Sequence, residues 1–155
     1  MPLDTIINHI KVSERIASSG QPKKHEFKEI AQAGFEVVIN LAMPNSDNAI
    51  PDEGNIVTTL KMQYIHIPVP FEAPTLEHLK DFFSIMNAIK HKKVWIHCVV
   101  NHRVSAFLFL YMRFIENKSI DEANNSVLKS WKPNDVWTRF MDISKDEISS
   151  LQSVT

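Results

Sequence analysis

Residues 94–105 read Val94-Trp-Ile-His-Cys98-Val-Val-Asn-His-Arg103-Val-Ser105 and form the most informative stretch of the chain. Its first three residues are apolar and rich in β-branched side chains, which favours a strand over a helix. The run that follows it, residues 106–115, is apolar on nearly all sides, as expected of a helix buried in a core. Between them lies Cys98, the only cysteine of the chain. The stretch predicts a strand that ends in a thiol, a short loop and a buried helix.

A loop between a strand end and a helix start favours the binding of an anion. Its backbone N–H groups and the helix N-terminus carry partial positive charge, and Arg103 adds a full one. The same field favours the reactive thiolate form of Cys98. The alternative is a cysteine that only packs, since buried thiols are often inert. We expect a nucleophile in an anion site.

Composition limits the class of protein. A chain of 155 residues with 44% hydrophobic residues is most simply one domain, over residues 1–155. A net charge of −1 gives no reason to expect a nucleic-acid partner, and no stretch approaches the ~20 apolar residues of a membrane span. One cysteine and a start that does not resemble a signal peptide favour a cytoplasmic protein, with an earlier removed leader as an open alternative.

Strand and helix patterns alternate along the chain, which predicts an α/β fold with a mostly parallel central sheet of four to five strands flanked by helices. In such sheets ligands bind beyond the carboxyl ends of the strands, where Cys98 falls. The predicted strands cover residues 12–18 (or a hairpin there), 35–41, 64–67 and 94–96. The predicted helices cover residues 24–33 and 52–60, follow Thr75, follow the Cys98 loop, and begin at Ser119 and Pro133.

The loop resembles the signature of the protein tyrosine and dual-specificity phosphatases, which is His-Cys, five residues, Arg, then Ser or Thr. The matching residues are His97, Cys98, Arg103 and Ser105. Further strings at residues 19–22 (SGQP), 33–41 (AGFEVVINL), 64–69 (YIHIPV) and 131–134 (WKPN) are similar to those of a small, mostly bacterial phosphatase-like family. Its domain is sometimes fused to a β-lactamase-hydrolase-like protein, and the resemblance covers roughly residues 12–141.

This resemblance implies the fold of the cysteine-based phosphatases and a role for each residue of the signature. Cys98 would be the nucleophile that takes the phosphoryl group as a thiophosphate, and Arg103 would clamp the phosphate oxygens. Ser105 would stabilise the leaving thiolate, and His97 would orient the loop. The anion would lie against the loop, made of Val99, Val100, Asn101, His102 and Arg103. The expected partner is a phosphorylated substrate or small oxyanion, without cofactor or metal.

The chain departs from that signature in three ways. Four residues rather than five separate Cys98 from Arg103. The loop has no glycine, although phosphate cradles use residues with positive φ, and Asn101 is the residue that can adopt this conformation. The acidic aspartate is missing from the expected loop after residues 64–67. Glu72 is the nearest carboxylate and therefore the candidate general acid; alternatively it is an ordinary exposed glutamate.

Two other functions stay open at this point. Rhodanese-like sulfurtransferases also have a Cys-x4-Arg loop, in which the cysteine carries a persulfide. A phosphate-binding module without turnover is the third class, because neither a certain acid nor a glycine is present. His102 either adds a cation to the anion field or is an exposed loop histidine. Trp131 and Trp137 either form an aromatic rim over the site or, as we favour, belong to the core.

Overall fold

The computed structural model describes residues 2–143 and 146–149, which divide into two compact units. The sheet unit comprises the described residues up to Pro68 together with His91–Val104. The helical unit comprises Val69–Lys90 together with the described residues from Ser105 onward. The assignment of residues 1–155 to a single domain stays a prediction.

The sheet unit contains a mixed sheet whose five described strands have the order β1-β2-β5-β3-β4. Only β1 runs antiparallel to its neighbour, so the predicted α/β fold with a mostly parallel sheet is confirmed. The central strands β2, β5 and β3 are buried along their whole length, which explains the three apolar residues with which β3 and β5 each begin. The strands are β1 (Ile10–Lys11), β2 (Ile16–Ser19), β3 (Val37–Asn40), β4 (Gln63–His66) and β5 (Val94–His97).

Two α-helices and a 3-10 helix over Pro2–Thr5 complete the sheet unit. Helix α1 (Glu26–Gln32) buries Phe27 and Ile30 and stops at Gly34, whose φ of 93° fits the predicted helix end. Helix α2 (Glu53–Thr59) begins after Asp52, where the sequence places it. Apolar side chains from the strands, the helices and the segments between them form one core cluster: Ile6, Ala17, Phe27, Ile30, Phe35, Val38, Val57, Met62 and Trp95.

The helical unit holds α3 (Leu76–Ala88), most of α4 (His102–Phe114), α5 (Ile120–Ala123), α6 (Ser126–Trp131) and α7 (Asp135–Met141). Thr75 and Ser119 form the predicted caps; at Thr75 the imidazole of His78 completes the capping box. The segment after Ser119 is two helices rather than one, because the Asn125 side chain caps a second start by accepting from Leu128 N. None of the helices in the described residues is long and apolar enough to cross a membrane.

The tail aromatics belong to the core of the helical unit. Trp137 is fully buried, and its ring packs against those of Phe71, Phe107 and Phe140. Its indole N–H donates to the carbonyl of Phe71 at 2.7 Å. Trp131 is partly buried and packs against Phe71 and Trp137. Trp137 is therefore a core residue, as we favoured, and Trp131 packs against it.

Candidate active site

Cys98 follows the central strand at the carboxyl edge of the sheet. The strand register pairs His97 with Ser19 on one side and with Asn40 on the other. Cys98 is 1% exposed, and its N–H donates to the carbonyl of Ser19 at 3.3 Å. The thiol therefore lies at the strand end where α/β sheets bind ligands.

The loop after Cys98 has three successive carbonyl groups that accept hydrogen bonds from outside the loop. The carbonyl of Cys98 accepts from His97 Nδ1 at 3.2 Å. The carbonyl of Val99 accepts from Gln21 N at 3.0 Å and from Asn48 Nδ2 at 3.4 Å. The carbonyl of Val100 accepts from Asn8 Nδ2 at 2.9 Å. The described chain has no cis peptide bond, and in a trans peptide the N–H points away from the preceding C=O. The N–H groups of Val99 and Val100 therefore point away from these donors, and no acceptor in the described residues meets them.

Asn101 supplies the left-handed position of the loop. Its φ is 71°, the conformation that the sequence assigned to it in place of a glycine. The side chain is fully buried, and its amide donates to Asn8 O at 2.7 Å and to Ser18 Oγ at 3.1 Å. Because Asn8 in turn donates to Val100 O, the two asparagines hold the loop by reciprocal bonds.

Gly20 lets the loop pass close to strand β2. Its N–H donates to Ile7 O at 2.7 Å, and it forms an isolated antiparallel bridge with Val100. A Cβ at Gly20 would lie 2.5 Å from Val99 O and 2.9 Å from the Cα of Val100. Only a residue without a side chain fits this approach.

A buried carboxylate, Glu53 at the start of α2, lies behind the loop. Its Oε2 is 2.6 Å from His97 Nε2, and its Oε1 accepts from Gln21 Nε2 at 2.7 Å. The carbonyl of Cys98 can only accept, so the Nδ1 of His97 carries a hydrogen. One further proton between Nε2 and Oε2 satisfies that contact and leaves the pair without net charge, as its complete burial requires.

Tyr64 and Asn40 lie near the same carboxylate. Asn40 Nδ2 donates to Tyr64 Oη at 3.0 Å. Burial raises the pKa of Tyr64 to about 12, and the Glu53 carboxylate acts in the same direction. Tyr64 therefore stays a neutral phenol, and the polar network behind the loop is hydrogen-bonded without adding a charge.

Arg103 and His102 open helix α4. Arg103 is 5% exposed, so its guanidinium is a buried charge directly after the loop. His102 is the first helical residue rather than a loop residue and is partly buried. Burial lowers the pKa of His102, and the neighbouring Arg103 charge lowers it further. His102 is mainly neutral near pH 7, which argues against an added imidazolium in the anion field.

Ser105 and Glu72 belong to the helical unit. Ser105 is fully buried, and its Oγ accepts from Asn125 Nδ2 at 3.3 Å. Glu72 is exposed in the turn that follows Pro70. The roles of Ser105 as stabiliser of the thiolate and of Glu72 as general acid stay predictions.

Sequence reasoning missed Asn8 and Gln21, which hold the loop from outside, and Glu53, which contacts His97 and Gln21. Gln21 lies in one of the strings that carry the resemblance, but its contacts could not be read there. Glu53 reads as an ordinary acidic residue in the first turn of a helix, where the helix dipole favours it. Nothing near it in the sequence indicates that it is 2% exposed.

The family model that matches the chain is described as a DSP-PTPase phosphatase fused to NAD+ kinase, and it matches residues 7–141. None of the curated proteins matches the chain significantly. A DUF442 protein from Shewanella putrefaciens CN-32, named as a candidate phosphatase, has a solved structure with 33% identity and a TM-score of 0.82. The match covers 91% of this chain and 93% of that one.

More distant solved structures share the fold. The core catalytic domain of the PP-IP phosphatase SIW14 from S. cerevisiae is 16% identical, with 96% and 92% of the chains covered and a TM-score of 0.75. TpbA from P. aeruginosa is 13% identical, with 96% and 90% covered and a TM-score of 0.73. At these identities the likeness concerns the fold, and it agrees with the fold type predicted from the sequence.

Proposed function

This chain belongs to the family of DSP-PTPase phosphatases described as fused to NAD+ kinase, and on that premise we propose that it hydrolyses phosphomonoesters through a thiophosphate on Cys98. One observation carries the proposal. The three carbonyls that follow the thiol are held from outside, so the N–H groups of Val99 and Val100 are available to an anion beside Cys98. Backbone N–H groups in this arrangement favour phosphate.

Two solved structures support an oxyanion as the ligand of this fold. The SIW14 domain was crystallised with citrate, and a cysteine-to-serine variant of TpbA was crystallised with pTyr. Protein phosphotyrosine is accordingly one candidate substrate of this chain. No motif in residues 42–54 or 68–75 selects a substrate.

The reaction we propose has two steps. The Cys98 thiolate attacks phosphorus, the ester bond breaks, and the ester oxygen leaves with a proton from a general acid. Water then attacks the thiophosphate and gives one proton back to the acid, the P–S bond breaks, and inorganic phosphate and the thiolate are released. Arg103 holds the phosphate oxygens in both steps, and Ser105 stabilises the thiolate as it leaves.

The general acid determines which esters react. Glu72 is the candidate, and an exposed carboxylate in a turn is a weaker acid catalyst than a positioned aspartate. General acid catalysis is typically worth about 10²–10⁴-fold. Aryl phosphates, whose leaving groups need little protonation, should therefore react faster than alkyl phosphates.

The four-residue spacing favours one other candidate, a sulfurtransferase with a Cys98 persulfide, since a smaller loop suits a single sulfur atom. One assay separates the functions. The protein and its Cys98→Ser variant are given p-nitrophenyl phosphate and, separately, thiosulfate with cyanide. Nitrophenol release that depends on Cys98 supports the phosphatase, and thiocyanate that depends on it supports the sulfurtransferase. Neither product, with inorganic phosphate still bound, supports a phosphate-binding module.

The cytoplasmic location also stays a prediction, and it rests on the single cysteine. A thiol nucleophile needs a reducing environment to remain available. Fractionation of the source cells with an antibody against the protein tests this directly.

A further inference from the structure

We propose that Glu53 is a positioning residue of the anion site, because its carboxylate holds the two residues that fix successive carbonyls of the Cys98 loop. The proposal deepens the phosphatase function and rests on it for the reaction, while its effect on anion binding is measurable without turnover. Within the described residues Glu53 forms no hydrogen bond with the thiol or the loop, so its action passes through His97 and Gln21.

The contacts form one connected path behind the loop. From the carbonyl of Cys98 the path runs to His97 Nδ1 (3.2 Å), and from His97 Nε2 to Glu53 Oε2 (2.6 Å). From Glu53 Oε1 it continues to Gln21 Nε2 (2.7 Å), and from Gln21 N to the carbonyl of Val99 (3.0 Å). One carboxylate therefore bridges the anchors of two neighbouring peptide groups.

These two peptide groups set the direction of the N–H groups proposed to meet the anion. The carbonyl of Cys98 shares its peptide plane with the N–H of Val99, and the carbonyl of Val99 shares its plane with the N–H of Val100. Without Glu53 the imidazole of His97 loses the partner that fixes its ring. Gln21 keeps its side-chain bond to Pro22 O at 3.1 Å but loses the one to α2. Both planes then lose part of the support that fixes their direction.

The charge of the network explains why a carboxylate is tolerated behind an anion site. Paired with His97 and one shared proton, Glu53 adds no net charge. Glutamine can replace it, since its amide nitrogen can donate to a neutral His97 and its oxygen can accept from Gln21. Alanine removes both bonds. Both variants lack the carboxylate, but only Glu53→Gln keeps the two hydrogen bonds. Comparing their phosphate affinities therefore shows whether the hydrogen bonds or the carboxylate itself is needed.

Glu26 provides a matched control in the same unit. It is a buried carboxylate at the start of α1, 3% exposed, that accepts from Thr5 Oγ1 at 2.9 Å and from Lys23 N at 2.7 Å. In the part of the chain that the structure describes, no hydrogen bond joins Glu26 to the Cys98 loop. Glu26→Ala should also lower the melting temperature, because it removes the two hydrogen bonds of a buried carboxylate.

The experiment measures binding of inorganic phosphate by calorimetry, together with the amide NMR shifts of Val99 and Val100 on phosphate addition. We expect Glu53→Ala to weaken phosphate binding by about tenfold or more, as for the loss of one hydrogen bond to a charged group. Glu53→Gln should stay within about threefold and Glu26→Ala within about twofold of the wild-type affinity. The phosphate-induced shifts should be lost only in Glu53→Ala.

Phosphate affinity that is equal in Glu53→Ala and the wild type overturns the proposal, and so does an equal loss in Glu26→Ala. If Glu53→Ala does not fold, Gln21→Leu removes one of the two links, and unchanged phosphate affinity in that variant overturns the proposal. Binding that depends on Glu53, without any nitrophenol release, supports the positioning role while the phosphatase function fails. If Glu53→Ala releases nitrophenol at the wild-type rate, the phosphatase function holds and the positioning role of Glu53 fails.

Discussion

Replacing Gly20 by alanine places a methyl group where the Cys98 loop crosses strand β2. The added Cβ would lie 2.5 Å from Val99 O, whereas ordinary contact begins at 3.4 Å. The two nearest atoms are backbone. The loop must therefore move by the difference of about 0.9 Å, which is overpacking of a kind that costs about 1–3 kcal/mol. For a chain of this size each kcal/mol lowers the melting temperature by roughly 2–4 °C, which gives a decrease of roughly 2–12 °C.

The effect on activity should exceed the effect on stability. A displacement of about 1 Å of reacting groups costs about 100-fold in rate. We expect kcat/KM for p-nitrophenyl phosphate to fall by about that factor, which corresponds to roughly 2.7 kcal/mol of transition-state stabilisation. The assay is the initial rate of nitrophenol release at a temperature where calorimetry shows the variant to be fully folded.

Gly34→Ala is the control for a glycine substitution that only destabilises. Gly34 has a φ of 93°, so alanine is strained there, but the nearest atom to an added Cβ is Lys93 Nζ at 4.0 Å. Gly34 precedes β3, at the end of the sheet opposite the thiol. The kcat/KM of Gly34→Ala should therefore stay within about twofold of the wild-type value. If Gly20→Ala keeps kcat/KM within about threefold despite a lower melting temperature, the loop position does not control the reaction and the reasoning is wrong.

Three further predictions concern the loop and its flanking residues. Arg103→Ala should weaken phosphate binding by about 1.5–3 kcal/mol in calorimetry. Arg103→Lys should recover only part of that binding free energy, since lysine cannot bind bidentately. Unchanged affinity in Arg103→Ala would show that Arg103 does not bind the phosphate. Asn101→Gly should unfold at lower denaturant than the wild type, and Asn101→Ala lower still because of its positive φ; the reverse order would contradict the left-handed conformation. Burial lowers the pKa of both His9 and His102 from 6.5, so the unfolded chain binds more protons. Stability should be full above about pH 6.5 and lost as the pH falls through the folded pKa values; a melting temperature that rises on acidification would refute this.

The parts of the site that local sequence encodes were predictable. A strand, a thiol, a short loop and a helix follow one another within residues 94–114, and each has its own residue pattern. Asn101 could be assigned a positive φ because asparagine tolerates that conformation better than valine does. The helix starts at Thr75 and Ser119 are equally local, because each of these residues caps the helix that follows it.

The parts that depend on distant residues were not predictable. Glu53 is buried because α2 sets its first turn beside His97, 44 residues later in the chain. Asn8 and Val100 are 92 residues apart, and no residue near either of them in the sequence indicates the contact. Hydrophobic periodicity identifies which face of a helix is buried, but it does not say which polar group is buried with that face.

Strand β5 is the last of the described strands in the sequence, but it lies between β2 and β3. Those two strands pair with β5 and not with each other. Until residues 94–97 are present, the hairpin of β1 and β2 and the pair of β3 and β4 are separate pieces, and each is too small to be stable alone. When β5 pairs with β2 and β3, the Cys98 loop also reaches its donors Asn8 and Gln21. These contacts join residues far apart in the sequence, which slows folding. A nascent chain that ends before Val94 should therefore remain unfolded on the ribosome, and in refolding the sheet and the reactive loop should acquire hydrogen-exchange protection in a single kinetic phase.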